Sequence, residues 1–282
     1  MALGAQGQIL SSAVAQRRPD AAYPVAGLSR AITAMCLNDI LPETGFTWSA
    51  TLGQLSPALS AMNMTPHAGV QDLTLASLAN HTAGFLGDFS GKNKTGSGRN
   101  LFTQQHFARE ALTNPARQPA KPGYLHSNVN YAVLGQIIIA LTGAPYEEIC
   151  AQRIMAVAGA SDAVVGGRMW ATGSFGGWSA SAEDYARFAM HWFHAERPWV
   201  KDPESYPLEA KVGAGLGVFH SQQRDGIAVH TTGLWRDRDP SRQHGAIVII
   251  SDTGAVFVAN WQGDLHRKAY AELRQMIAPH LR

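Results

Sequence analysis

The chain has 282 residues, 45% of them hydrophobic and 16% charged, with a formal net charge of +2. That balance excludes a disordered chain, and it is too weak for the basic surface that nucleic acid or an anionic membrane would require. The length suffices for a large core and for two lobes.

In chain order, residues 8–14 read as a first strand. Ala13-Val14-Ala15 has the form of an A-x-A cleavage site, but no basic stretch precedes it and Gly4, Gln6, Gly7 and Gln8 interrupt any apolar core. A cytoplasmic location is the expectation. Residues 24–41, PVAGLSRAITAMCLNDIL, read as a turn feeding an amphipathic helix with Ile32, Met35, Cys36 and Ile40 on one face. Gly27 and Ser29 stand where that helix begins. Backbone N–H groups there carry partial positive charge and suit a nucleophile or the oxygen of a bound substrate. Cys36 and Cys150 both fall inside apolar helical patterns and are expected as buried thiols rather than as a bridge.

Residues 47–59 read as loop with short helical pieces. The run GDFSGKNKTGSGRN at 87–100 has no apolar period and reads as an exposed loop, with Lys92 and Lys94 solvated. Residues 104–112 form a short helix, and Pro115, Pro119 and Pro122 give an extended approach to the next motif. Asn128 is placed either to cap a helix over 129–142 that closes at Gly143 or to donate to a ligand. A second helix opens at Pro145, with Glu147 and Glu148 at its positive end, and runs through Ile149 and Ile154. The apolar run at 131–141 is too short to cross a bilayer.

Ser181 with Asp184 resembles a capping box for a helix that buries Tyr185, Phe188, Ala189, Trp192 and Phe193. His191 and His194 lack a third partner in any metal-ligand pattern, so no metal is expected. Residues 213–221, 227–233, 245–251 and 254–260 are short, β-branched and glycine-bounded strands, the last two joined by a turn at Asp252-Thr253-Gly254. RDRDPSR at 236–242 reads as a solvated loop. A closing helix over 265–281 turns Leu265, Ala269, Leu273, Met276 and Ile277 inward. Sequential strands with short turns predict an antiparallel sheet that the first strand joins.

Several of these stretches together resemble the superfamily of serine β-lactamases, penicillin-binding proteins and related esterases. Leu73–Phe85, LTLASLANHTAGF, resembles the segment between that family's first two catalytic motifs, with His81, Thr82 and Gly84 in register. In the family this histidine holds a helix-to-loop junction by hydrogen bonds. PGYLHSNVNYAVLG at 122–135 resembles the family's P-G-…-Y-S-N-x-x-Y-x-x-L-G, with His126 in place of the tyrosine and Ser127 and Asn128 retained. GGWSASAEDYARF at 176–188 resembles a structural segment of the family. His230-Thr231-Thr232-Gly233 resembles its K-T-G or H-T-G strand. The favoured alignment matches His230 and Thr231 and leaves Thr232 where glycine is usual, so His230 would face His126 across a cleft. The alternative alignment takes Thr231-Thr232-Gly233 as the triplet and loses the basic residue.

The resemblance implies an α+β fold: an antiparallel sheet built from both chain ends, flanked by helices, with an inserted helical region. Residues 1–45 and 165–282 would form the sheet lobe and 46–164 the helical lobe of one compact unit. In the family the helix at 24–41 opens with S-x-x-K, serine as nucleophile and lysine as base. Here the same positions read Gly27-Leu28-Ser29-Arg30. Glycine forms no acyl-enzyme, and an arginine stays protonated at any working pH.

The expected function is therefore a cleft that binds a small carbonyl or carboxylate compound without acyl transfer, through Gly27, Ser29, Arg30, Asn128, Thr231, Thr232 and Gly233. Backbone N–H groups at Gly27 and Gly233 would form the oxyanion hole. A protein partner is the other occupant weighed. Two alternatives stand beside this one. His126 and His230 could act as general acid and base in a cyclisation, elimination or isomerisation. A rewired hydrolase could instead recruit Ser29 or Ser127 with His126. No cofactor motif is present, and because the family is often exported, a periplasmic or secreted location is the alternative to a cytoplasmic one.

Overall fold

The computed structural model describes residues 2–5, 8–11, 18, 20–86, 103–120, 123–221, 227–235, 239, 242–263, 272, 273, 275 and 277. Residues 2–5, 8–11 and 167–169 are described by backbone alone. The sequence expectations for 12–17, 87–100 and most of 236–242 and 265–281 lie outside these residues.

Strands β1 (Ala2–Ala5) and β2 (Gln8–Ser11) form a hairpin at the chain start. The sequence predicted one strand here, and the chain instead turns back after four residues and pairs β1 with the last strand. After a short strand β3 (Tyr23–Pro24) and a 3-10 turn at Ala26–Leu28 comes helix α1 (Ser29–Thr44). Helices α2 (Ser56–Ala61), α3 (Leu75–Ala79), α4 (Gln104–Thr113), α5 (Asn128–Thr142) and α6 (Tyr146–Cys150) come after it, the last continuing as a π-helical turn over Ala151–Met155. Strands β4 (Val164–Val165) and β5 (Trp178–Ala180) join β3 in a small sheet, and helices α7 (Ala182–Trp192) and α8 (Pro198–Lys201) come next. The chain returns as β6 (Ala214–Gly215), β7 (Val218–His220), β8 (Ile227–Trp235), β9 (His244–Ser251) and β10 (Val256–Gln262).

The main sheet has seven antiparallel strands in the order β2-β1-β10-β9-β8-β7-β6, so both chain ends build it. Its centre is apolar on both faces, as the unbroken run AIVII in β9 demands. Ala246, Val248 and Ile250 join the large core that holds the helices. Ile247 and Ile249 join a second cluster with Phe257, Ile277 and the half-buried Leu273. Leu273 and Ile277 thus take the inward positions expected of a closing helix. On β8 the register slips between Ile227 and Val229, a bulge that moves those two residues onto opposite faces although they are two apart.

Helix α1 departs from the amphipathic expectation. From Ser29 to Leu37 every residue is buried, because the helix runs between the sheet and the other helices. Residues 213–221 are a hairpin rather than one strand. Leu216 and Gly217 sit at φ of 52° and 79° and form a two-residue turn. A Cβ on Gly217 would lie 2.4 Å from the backbone of Arg30 and Ala31, so the turn tip is pressed onto the start of α1. Leu216 accepts the strained conformation at a cost of about 1–2 kcal/mol, offset by complete burial of its side chain.

The two cysteines also correct the sequence expectation. Cys36 of α1 and Cys150 of α6 form a disulfide, with Cα atoms 5.4 Å apart and a sequence separation of 114. Each apolar pattern was legible, but the packing of the two helices side by side was not. Among the described residues no single helix is long and apolar enough to cross a membrane.

Candidate active-site cleft

The turn that carries Gly27 is fixed from behind. Val25 N–H donates to the Trp178 carbonyl (3.0 Å), Trp178 N–H donates to Ser29 Oγ (3.2 Å), and Tyr185 OH donates to the Leu28 carbonyl (2.9 Å). The segment 176–188 therefore clamps the first turn of α1 from β5 and α7. Ser181 caps α7 by accepting from Asp184 N–H and donating to its carboxylate, as the sequence predicted. Ala26, just before Gly27, is held at φ 47°, a conformation that costs a non-glycine residue about 1–3 kcal/mol and is often kept at functional turns.

Beside this turn lies an open cleft of about 230 Å³. Gly27, Arg30, His126, Asn128 and Thr232 line it, with Ala26, Phe175, Gly176, Leu234 and Trp235. Five of the residues singled out in the sequence thus meet in one place.

The relation between Gly27 and Arg30 is the main feature of this cleft. A Cβ built on Gly27 would sit 2.7, 2.9 and 3.0 Å from Nη2, Nη1 and Cζ of Arg30. The guanidinium lies against Gly27 where a side chain at that position would begin. Arg30 is 9% exposed, and its Nη1 donates to Asn128 Oδ1 at 3.4 Å.

Asn128 does not cap α5. Ser127 does, its Oγ accepting from Val129 N–H at 3.2 Å, and Asn128 is the first helical residue. Its amide is thereby released from the helix end and turned to Arg30. Ser127 and Ser29 are both buried, Ser29 in the core beneath Trp178, and neither lines the cleft.

On β8, the strand β7 pairs only at Val229 and His230, so beyond that point the open edge runs along the cleft. The residue that approaches the α1 turn is Gly233: a Cβ there would lie 2.4 Å from Gly27 N and 2.6 Å from the Val25 carbonyl oxygen. Only glycine fits. This geometry matches the alternative alignment, Thr231-Thr232-Gly233. Thr231 is buried on the inner face, and Thr232, outward and exposed, does not take the close-contact position expected of it. His230 stacks on Phe219 (5.7 Å), whose ring meets Tyr124 edge-on (6.5 Å), and it is not among the cleft-lining residues.

His81 holds the junction after α3. Its Nδ1 accepts from the Asn130 amide (2.9 Å), its carbonyl accepts from Leu125 N–H (2.8 Å), and its ring packs at a tilt of 39° against His126, centroids 4.7 Å apart. An accepting Nδ1 places the proton on Nε2. Burial, then the neighbouring His126 and Arg30, keep His81 neutral, well below the usual histidine range. His126 itself is pushed down to about 4, by desolvation against the cleft wall and then by the Arg30 charge. At neutral pH it is an uncharged imidazole.

Phe175, Leu234 and Trp235 had no role in the sequence reasoning. Phe175 precedes the 176–188 motif, and Leu234-Trp235 extends the strand beyond the H-T-T-G run, so adjacency was the one signal that pointed to them.

The chain matches the Beta-lactamase family over residues 2–278. It belongs to that family, and its fold is that of β-lactamases and penicillin-binding proteins. It is similar to a β-lactamase/D-alanine carboxypeptidase from Yersinia pestis, at 14% identity over 100% of this chain and 92% of that one, with a TM-score of 0.76. It also resembles a D-stereospecific amidohydrolase from Streptomyces sp. (18% identity, 93% of this chain and 89% of that one, TM-score 0.68). A third similar structure is the octameric penicillin-binding protein homologue from Pyrococcus abyssi (14% identity, 93% of this chain, TM-score 0.71), of whose length this chain spans 66%. No curated protein matches it in sequence.

Proposed function

We propose that this protein binds a small carboxylate in the cleft beside Gly27 and does not transfer acyl groups. The observation that carries this reading is the Arg30 guanidinium lying where a side chain on Gly27 would begin. A nucleophile and a bulky cation do not share that space. A planar guanidinium at the base of a cleft suits the two oxygens of a carboxylate, which it holds through parallel N–H bonds. The N–H of Gly27, at the head of the turn, and the open edge of β8 add backbone donors. His126, neutral at working pH, and Thr232 complete the polar wall as hydrogen-bonding groups.

Neither alternative mechanism finds comparable support. An imidazole near 4 has almost no acid form to offer at neutral pH, and His230 is not beside it in the cleft lining. Ser29 and Ser127 have their hydroxyls engaged with backbone N–H groups away from the cleft. We further infer that the chain folds in an oxidising compartment, since a buried disulfide between two helices is rare where thiols are kept reduced.

The test is a titration with acetate and with acetamide, monitored by NMR at Trp235 and His126, in the wild type and in Arg30→Gln. The wild type should respond to acetate and not to acetamide, and Arg30→Gln should lose the response. Equal responses to acid and amide would refute a carboxylate ligand.

A further inference from the structure

The cleft lining combines two kinds of group. Arg30, Asn128 and the Gly27 turn are polar, and Phe175, Leu234 and Trp235 are apolar. Phe175 is buried and stacks on Phe107 with centroids 5.6 Å apart and planes 3° apart. Trp235 is half-buried and stacks on His244 (6.4 Å, 17°). Each ring on the apolar wall is thus backed by a second ring, so the wall does not collapse into the space beside it. A cleft meant for a bare carboxylate would have no use for that area. The volume, about 230 Å³, is more than a carboxylate alone needs.

Resting on the proposed function, we infer that the ligand is an amphiphilic monocarboxylate: its carboxylate on Arg30 beside Gly27, and a compact apolar or aromatic tail of a few carbons along Phe175, Leu234 and Trp235. The polarity of the lining fixes the orientation. The charge lies at the α1 end, where the positive helix terminus and the guanidinium coincide, and the tail lies along the β8 edge. Such a wall attracts ring faces and alkyl chains and gives no hydrogen bonds that would reward a polyhydroxylated or dicarboxylate tail.

The experiment is calorimetric titration with acetate, 3-phenylpropionate, 3-phenylpropionamide and phenylphosphonate, on the wild type, Arg30→Gln, Trp235→Ala and Leu234→Ala. The expected result is that 3-phenylpropionate binds about tenfold or more tightly than acetate. It should also bind more tightly than the amide or the phosphonate. Trp235→Ala and Leu234→Ala should each shrink the advantage of 3-phenylpropionate over acetate. Two variants guard against one that fails to fold. Arg30→Gln should weaken both acids together and preserve their ratio.

Equal affinity for acetate and 3-phenylpropionate would overturn the apolar-tail inference and leave the carboxylate reading intact. An advantage that both wall variants leave untouched would overturn it as well. A tighter phosphonate would overturn the choice of carboxylate in favour of a tetrahedral oxyanion. Binding of the amide as tightly as the acid, or silence from every probe, would overturn this inference and the proposed function together.

Discussion

Replacing Gly27 by serine probes the contact that sets this cleft apart. The backbone at Gly27 is outside the left-handed region, so serine meets no torsional obstacle there. The obstacle is Arg30, whose Nη2 lies 2.7 Å from the new Cβ, against an ordinary contact of about 3.5–4.0 Å. The guanidinium has to retreat by roughly 1 Å from a place where it is almost fully buried and bonded to Asn128. Overpacking of this kind costs about 1–3 kcal/mol, a loss of about 2–4 °C in Tm for each kcal/mol in a chain of this size.

The assay is thermal unfolding of Gly27→Ser, Arg30→Lys and the double variant. The thinner lysine should relieve the contact, so the double variant should be more stable than the sum of the singles by about 1 kcal/mol or more. Labelling by a fluorophosphonate should obey the same logic. The single Gly27→Ser variant stays unlabelled because a guanidinium accepts no proton, and the double variant, with serine and lysine together on the held turn, gains labelling. Additive stabilities within about 0.5 kcal/mol, or rapid labelling of Gly27→Ser with Arg30 present, would refute the coupling.

The disulfide closes a loop with a sequence separation of 114, for which the chain-entropy account gives about 5 kcal/mol. Reduction, or Cys36→Ser with Cys150→Ser, should therefore lower Tm by roughly 10 °C or more, and a thiol count on the unreduced protein should find neither cysteine free. Ser127→Ala should cost about 1 kcal/mol by uncapping α5, whereas Asn128→Ala should leave unfolding nearly unchanged and weaken carboxylate binding in the cleft. Acid should destabilise the fold through His220, which burial, aided by His230, holds down to about 4 against the usual 6.5. Its contribution is complete above pH 6.5, is lost as pH falls from there to about 4, and amounts to at most about 3 kcal/mol. Denaturation midpoints measured across that window should fall, and His220→Gln should flatten the fall.

Much of the fold could be read in the chain because its signals are local. The β-branched run of β9, the Ser181–Asp184 cap and the left-handed Gly143 that ends α5 each depend on neighbours within one turn or strand. The cleft was half legible. The spacing from Gly27 to Arg30 and the run from His126 to Asn128 pointed to the right elements, and those elements do converge. What could not be read depends on contacts between distant segments. Ser127 rather than Asn128 caps α5, and Asn128 instead meets Arg30, 98 positions away in sequence. The approach of Gly233 to Gly27 and the pairing of Cys36 with Cys150 across α1 and α6 both join segments far apart in sequence. Arg30 is singled out by its place in the motif, but the lie of its guanidinium against Gly27 depends on the fold and not on the spacing.

The most direct test of a cleft that binds without acylating is the intact mass of the wild-type protein after incubation with a fluorophosphonate and a reactive β-lactam. The predicted result is an unchanged mass from a folded sample that still binds 3-phenylpropionate. A stoichiometric adduct mapped to Ser29, Ser127 or any other serine would contradict it and make the protein a working hydrolase with a displaced nucleophile.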